Sequence, residues 1–180
     1  MIIKFLRYFI IALPFFIVSC TRSTIENANQ KTIESFSYIK LVEVINELIQ
    51  LDMDTVYTYN QAIQAIKKEE YRNQLISFRN DHERHIRTLS KAVIDLGGYP
   101  PSFSSDLKGF VTSGYTAIKV SRGTKNALEA METNEIISNR YYTKALSVPM
   151  PEHVKTIIRA NKQDEERHLK AIRNMELKLK

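Results

Sequence analysis

The sequence predicts an all-α protein, an antiparallel four-helix bundle built from two αα-hairpins joined by a long crossover. Three observations carry this. The first is punctuation: the five glycines are Gly97, Gly98, Gly109, Gly114 and Gly123, and beyond Pro14 the prolines are Pro100, Pro101, Pro149 and Pro151. Residues 21–96, 124–148 and 152–180 therefore contain neither helix breaker. The second is periodicity, because apolar residues recur at alternating steps of four and three, the spacing of a helix face turned toward other helices. The third is repetition: "DHERHI" at residues 81–86 returns as "DEERHL" at 164–169, 83 positions later.

The N-terminal segment stands apart from the bundle. "MIIKFLRYFIIALPFFIVSC" carries Lys4 and Arg7, then an apolar run from Tyr8 to Val18, then Ser19 and Cys20. The run is too short and wrongly flanked for a settled membrane span, and residues 1–19 read as a secretory signal peptide. Ile17-Val18-Ser19-Cys20 resembles a bacterial lipobox. The resemblance implies that Cys20, the sole cysteine, is lipidated, becomes the first mature residue and anchors the protein to a membrane. Thr21 follows where an aspartate would signal retention, and resemblance to Gram-negative lipoproteins then implies the outer membrane, facing the periplasm. Removing residues 1–19 deletes Lys4 and Arg7 and no acidic residue, lowering the formal net charge from +6 to +4. Such mild, diffuse basicity does not suit a nucleic-acid partner. Residues 20–34 are polar and are expected to form a flexible tether, about 20 Å in root-mean-square reach.

The bundle is expected over residues 35–180. The first helix, about 35–67, has the seam Tyr38, Val42, Ile45, Ile49, Asp52, Val56, Tyr59, Ile63 and Ile66. After a turn near "KKEE", the second helix, about 69–96, has Tyr71, Leu75, Phe78, His82, His85, Leu89, Ala92 and Leu96. "LGGYPPS" ends it, with Gly97 or Gly98 as the C-terminal cap and prolines beyond. Residues 97–123 hold every glycine and are longer than a tight turn needs, which suits a crossover with room for a short helix. The third helix, about 123–147, has Leu128, Met131, Glu135, Ser138, Tyr142 and Ala145. After "SVPMP" the fourth, about 152–178, has Val154, Ile158, Asn161, Glu165, His168, Ile172, Met175 and Leu179.

The repeated phrase extends to the whole hairpin. At the fixed offset Asp52 maps to Glu135, Tyr59 to Tyr142, Ala62 to Ala145, His82 to Glu165 and His85 to His168. Asp52, His82, His85, Glu135, Glu165 and His168 all fall on apolar seams, whereas Asp81, Glu83, Arg84, Glu166 and Arg167 mostly fall outside and read as solvated faces. Counted from each turn at about 1.5 Å per residue, the six lie at one level. Three carboxylates and three imidazoles thus converge in an apolar interior, where an unpaired charge costs several kcal/mol.

Two arrangements would compensate. One is a metal centre, for which carboxylate and imidazole donors suit iron, manganese or zinc. The other is a metal-free network of three histidinium ions and three carboxylates fixing the register of a non-catalytic, structural or stress-related bundle. Tyr57 lies off the seam and reads as packing, and His153 reads as exposed. There is no nucleophile–base arrangement for hydrolysis, no phosphate-binding loop and no zinc-finger cysteine pattern.

The paired carboxylate and Glu-x-x-His helices, with a crossover between the pairs, resemble the ferritin-like superfamily of rubrerythrin and di-iron carboxylate type. "LGGYPP" further resembles an uncharacterised bacterial ferritin-like lipoprotein family. The resemblance implies a ferritin-like bundle with Asp52, His82, His85, Glu135, Glu165 and His168 as metal ligands, one or two ions, and iron first among them. It implies Tyr59 and Tyr142 as hydrogen-bond partners of the ligands, and ferrous-iron oxidation or peroxide reduction as the activity. A homodimer is compatible with the pattern. The sequence departs from it twice: Asp52 is one methylene shorter than glutamate, and His82 stands where a bridging-type glutamate is expected.

Overall fold

The computed structural model describes residues 15–102 and 123–179, with side chains from residue 37 onward. Four helices occupy them: α1 Phe15–Ala65, α2 Glu69–Asp95, α3 Thr124–Ala145 and α4 Glu152–Leu177. There is no strand among the described residues. The bundle lies in the unit Ile39–Lys180, and α1 begins in the preceding unit, Met1–Tyr38. Residues 103–122 of the crossover, and any short helix in them, lie outside the described residues.

One expectation differs from what is observed. Residues 21–34, read as coil from their polarity, are helical as part of α1. The segment contains neither glycine nor proline, so nothing in it interrupts a helix begun at Phe15. Most of the signal-peptide segment and the side chain of Cys20 lie outside what is described. Among the described residues, no helix is long and apolar enough to cross a membrane.

The seams locate the core. Every α3 seam residue is buried, as are the α2 seam from Tyr71 to Ala92 and the α4 seam from Val154 to Met175. In α1, Ile45, Ile49, Asp52, Val56 and Tyr59 are buried, as is Ile66 just beyond its end, but Tyr38 is exposed. Leu41, Leu48, Leu51, Met53 and Ala62 are also buried, so α1 packs with more than one stripe. Its period was legible; the width of its apolar face was not.

Two apolar clusters result. One joins Leu41, Ile45 and Ile49 to Leu89, Val93, Val154 and Ile158. The other joins Tyr59 and Ile66 to Tyr71, Leu75, Leu128, Met131 and Ile172. The polar residues of the seams fall between these two groups along every helix. Gly97 adopts φ +77°, and its amide donates to Ile94 while that of Gly98 donates to Val93. This Schellman cap assigns the left-handed position to Gly97. Gly98 serves close packing: an added Cβ would lie 2.7 Å from a methyl of Val42.

Candidate metal centre

Asp52 on α1, His82 and His85 on α2, Glu135 on α3, and Glu165 and His168 on α4 are all fully buried and come together. Each helix contributes from the seam that also supplies its core residues, so the packing that buries the seams also brings the polar side chains inward. His82 Nδ1 lies 2.9 Å from Asp52 Oδ1. His85 Nδ1 lies 3.2 Å from Glu165 Oε1, and His168 Nδ1 lies 3.7 Å from Glu135 Oε2.

The tyrosines sit where the repeat expects them, but they serve the opposite hairpin. Tyr59 on α1 donates to Glu135 Oε1 at 2.5 Å, and Tyr142 on α3 donates to Asp52 Oδ2 at 2.6 Å. Burial, reinforced by the carboxylate charges, keeps both phenols well above their usual range and therefore protonated.

Asp81 and Asp164 correct the sequence reading. Asp81 lies off the seam and reads as part of a solvated face, and its counterpart Asp164 is given no role by the sequence. Instead Asp164 Oδ2 lies 3.2 Å from His85 Nε2, and Asp81 Oδ2 lies 3.1 Å from His168 Nε2. Each aspartate reaches the histidine of the other hairpin. Arg84 and Arg167 each contact both aspartates, at 2.5–2.7 Å. Burial opposes the aspartate charges, but these guanidiniums and histidines outweigh it and hold both carboxyls below their usual range. Ionised acceptors at Nε2 hold the Nε2–H and leave Nδ1 of His85 and His168 aimed inward. The signal was present in the repeated Asp-x-x-Arg-His of "DHERH" and "DEERH", whose aspartates recur as faithfully as the histidines.

The interior electrostatics are uneven. Burial disfavours charge on His82, but Asp52 and Glu135 overcome it and raise its pKa to about 9. For His85, Asp52 and Glu165 likewise overcome burial and raise it to about 9. Burial also opposes charge on Asp52 and Glu135, yet the adjacent imidazoles keep both below their usual range. Glu165 goes the other way: burial and the charges of Glu135 and Asp52 push it well above its usual value.

A direct observation tests the fit to a metal. His82 Nε2, His85 Nδ1, His168 Nδ1, Glu135 Oε2 and both carboxylate oxygens of Glu165 are buried without a hydrogen-bond partner. Natural interiors rarely leave so many polar atoms unmatched in one place. The donors form two overlapping sets, Asp52–His82–His85–Glu165 and His82–Glu135–Glu165–His168, with ligand atoms within 4.8 Å of one another in each. Donors about 2.1 Å from one ion stand roughly 3.0–3.4 Å apart at octahedral or tetrahedral angles, close to the spacings observed. The residues fit a metal centre.

Solved structures share the fold. A structure from Bacillus anthracis str. Ames, described as ferritin-like, diiron-carboxylate proteins, superposes with TM-score 0.61 at 16% identity, covering 78% of this chain and 97% of that one. A hypothetical protein from Pyrococcus furiosus gives 0.58 at 15% identity, covering 76% and 87%. A dodecameric thioferritin, the bacterioferritin-related protein of Bacteroides fragilis, gives 0.57 at 12% identity, covering 78% and 90%. At such identities the likeness is one of fold. No curated protein matches the chain in sequence. The family described as "Domain of unknown function (DUF2383)" matches residues 40–147, a span holding α2, α3 and four of the six interior residues, and the chain, with its ferritin-like four-helix bundle, belongs to that family.

Proposed function

We propose that this chain is a lipid-anchored envelope protein whose bundle binds one or two metal ions among Asp52, His82, His85, Glu135, Glu165 and His168. Iron is the first candidate, with manganese and zinc as alternatives. The observation that carries the reading is the set of buried, partnerless donor atoms converging from three helices. The description of the Bacillus anthracis neighbour as a diiron-carboxylate protein supports iron. The lipobox-like Ile17–Cys20 supports lipid anchoring, and Thr21 after it supports the outer membrane, facing the periplasm. The dodecameric Bacteroides fragilis neighbour supports self-association, with a homodimer as its smallest form.

Bound iron would supply electron exchange, oxidising ferrous iron with dioxygen or reducing peroxide. The chain's own residues hold and orient: Tyr142 fixes Asp52, Tyr59 fixes Glu135, and Asp164 and Asp81 fix the two outer histidines. The test is elemental mass spectrometry of the full chain, purified in detergent without chelator, beside a Glu165→Ala, His168→Ala variant. One or two ions per chain, lost in the variant, are expected; ferrous-iron-dependent oxygen consumption is then measured. No bound ion, even after reconstitution with iron, manganese or zinc, would reject the reading.

A second reading has its own observation. Asp52 and Glu135 are held ionised while His82 and His85 are held protonated. Two buried anions thus face two buried cations, as a metal-free network in a non-catalytic bundle requires.

A further inference from the structure

The three interior histidines are not equivalent. His85 and His168 each turn Nε2 outward to an aspartate, so each has one nitrogen left for the interior. His82 has no such outer partner among the described residues. Its Nδ1 lies 2.9 Å from Asp52 Oδ1 and 3.4 Å from Glu165 Oε1. Its Nε2, on the opposite edge of the ring, lies 3.5 Å from Glu135 Oε1 without a hydrogen bond. The ring centroid is 5.4 Å from that of His85 and 5.2 Å from that of His168. His82 is common to both donor sets.

We propose that His82 bridges two metal ions through its two ring nitrogens. Nδ1 serves the ion held with Asp52 and His85, and Nε2 serves the ion held with Glu135 and His168. This rests on the metal-binding reading and deepens it. An imidazole ligating at both nitrogens has released its ring proton to solvent and carries one negative charge. With the carboxylates of Asp52, Glu135 and Glu165, that makes four negative charges, balancing two divalent ions without an added anion. A buried centre needs such balance. The rigid ring also fixes the separation of the two ions, which a flexible glutamate would not.

The test uses copper(II), which binds nitrogen and oxygen sites strongly. The full chain in detergent is loaded and desalted, its copper counted by elemental analysis, and its paramagnetic resonance signal integrated at low temperature. Two ions per chain with most of the signal lost to exchange coupling are expected in the parent. His82→Ala should recover the signal per bound ion, whether one ion or two remain. His82→Gln, which keeps a polar group of similar reach, should do the same, and circular dichroism confirms that either variant folds. One ion per chain, two uncoupled ions, or coupling unchanged in a folded variant would overturn the bridge while leaving metal binding intact. No bound copper would instead reject the metal-binding reading itself.

Discussion

Tyr142 on α3 donates its phenolic hydrogen to Asp52 on α1 at 2.6 Å, with both side chains fully buried. The same phenol oxygen accepts a hydrogen from Asn161 of α4 at 3.4 Å. Tyr142→Phe removes the hydroxyl alone and leaves a buried carboxylate oxygen without its donor. Chemical denaturation of the metal-free protein should show a loss of about 1.5–3 kcal/mol. Tyr99→Phe, at a ring 90% exposed, should stay within about 0.5 kcal/mol of the parent.

Asp81 and Asp164 make a prediction that separates the two donor sets. Asp164→Ala frees His85, and Asp81→Ala frees His168, so each should weaken chiefly the ion on its own side. A loss of about 10–100-fold in affinity is expected for an outer partner of a ligating histidine. Competition with a chromophoric chelator would measure it. Asp95→Ala, which removes only a surface pair with Lys91, should leave affinity unchanged.

The metal-free protein should lose stability as pH rises through mild alkalinity. His82 and His85 have folded pKa values raised from 6.5 to about 9. Their contribution is therefore fully present below about pH 6.5 and lost as pH climbs to 9. Glu165, also raised, loses its contribution as pH rises from 4.5. Asp52 and Glu135, both lowered, act oppositely: theirs is present above their ordinary values of 3.8 and 4.5 and is lost on acidification. Thermal midpoints of chelator-treated protein between pH 6 and 9 would show the fall. A flat profile would count against the metal-free network.

Loading a metal at neutral pH should release protons. His82 and His85 hold theirs up to about pH 9, and burial with the charges of Glu135 and Asp52 raises the Glu165 carboxyl well above its usual range. His85 gives up one to ligate and His82 gives up one, or both where its two ring nitrogens ligate, so at least two per chain are released when the centre is filled. A weakly buffered titration with an indicator dye would count them. Release near zero would show that these groups do not ligate.

The glycines at the end of α2 predict different penalties. Gly97→Ala forces a Cβ into a left-handed backbone and should cost about 1 kcal/mol. Gly98→Ala places a Cβ 2.7 Å from Val42 and 3.1 Å from Val93, so rigid branched side chains must shift, at about 1–3 kcal/mol. Thermal unfolding would rank the two.

Much of this was legible because one periodicity carried two messages. The steps of four and three that marked the helices also carried Asp52, His82, His85, Glu135, Glu165 and His168 inward. The duplication then identified Tyr59 and Tyr142. Asp81 and Asp164 escaped because seam membership describes one helix at a time. Whether an off-seam side chain faces water depends on the neighbouring helix, and here α2 and α4 lie close enough for each aspartate to meet a histidine across the gap. The helical state of residues 21–34 escaped for another reason: polarity describes contact with water, not backbone conformation.

The exchange of partners between hairpins has a temporal consequence. Tyr142 and Asp52 are 90 residues apart in the chain, Asp81 and His168 are 87, and Tyr59 and Glu135 are 76. Contacts so distant form after local helices and turns, because the loop they close must first be ordered. During refolding each hairpin can form its own turn early, and His82 can meet Asp52 within the first, yet the hydrogen bonds from the two tyrosines and to the two outer aspartates wait until the hairpins dock. The assembled centre is therefore a late product of folding, and an ion that meets the chain too soon meets ligands from two hairpins that have not yet come together.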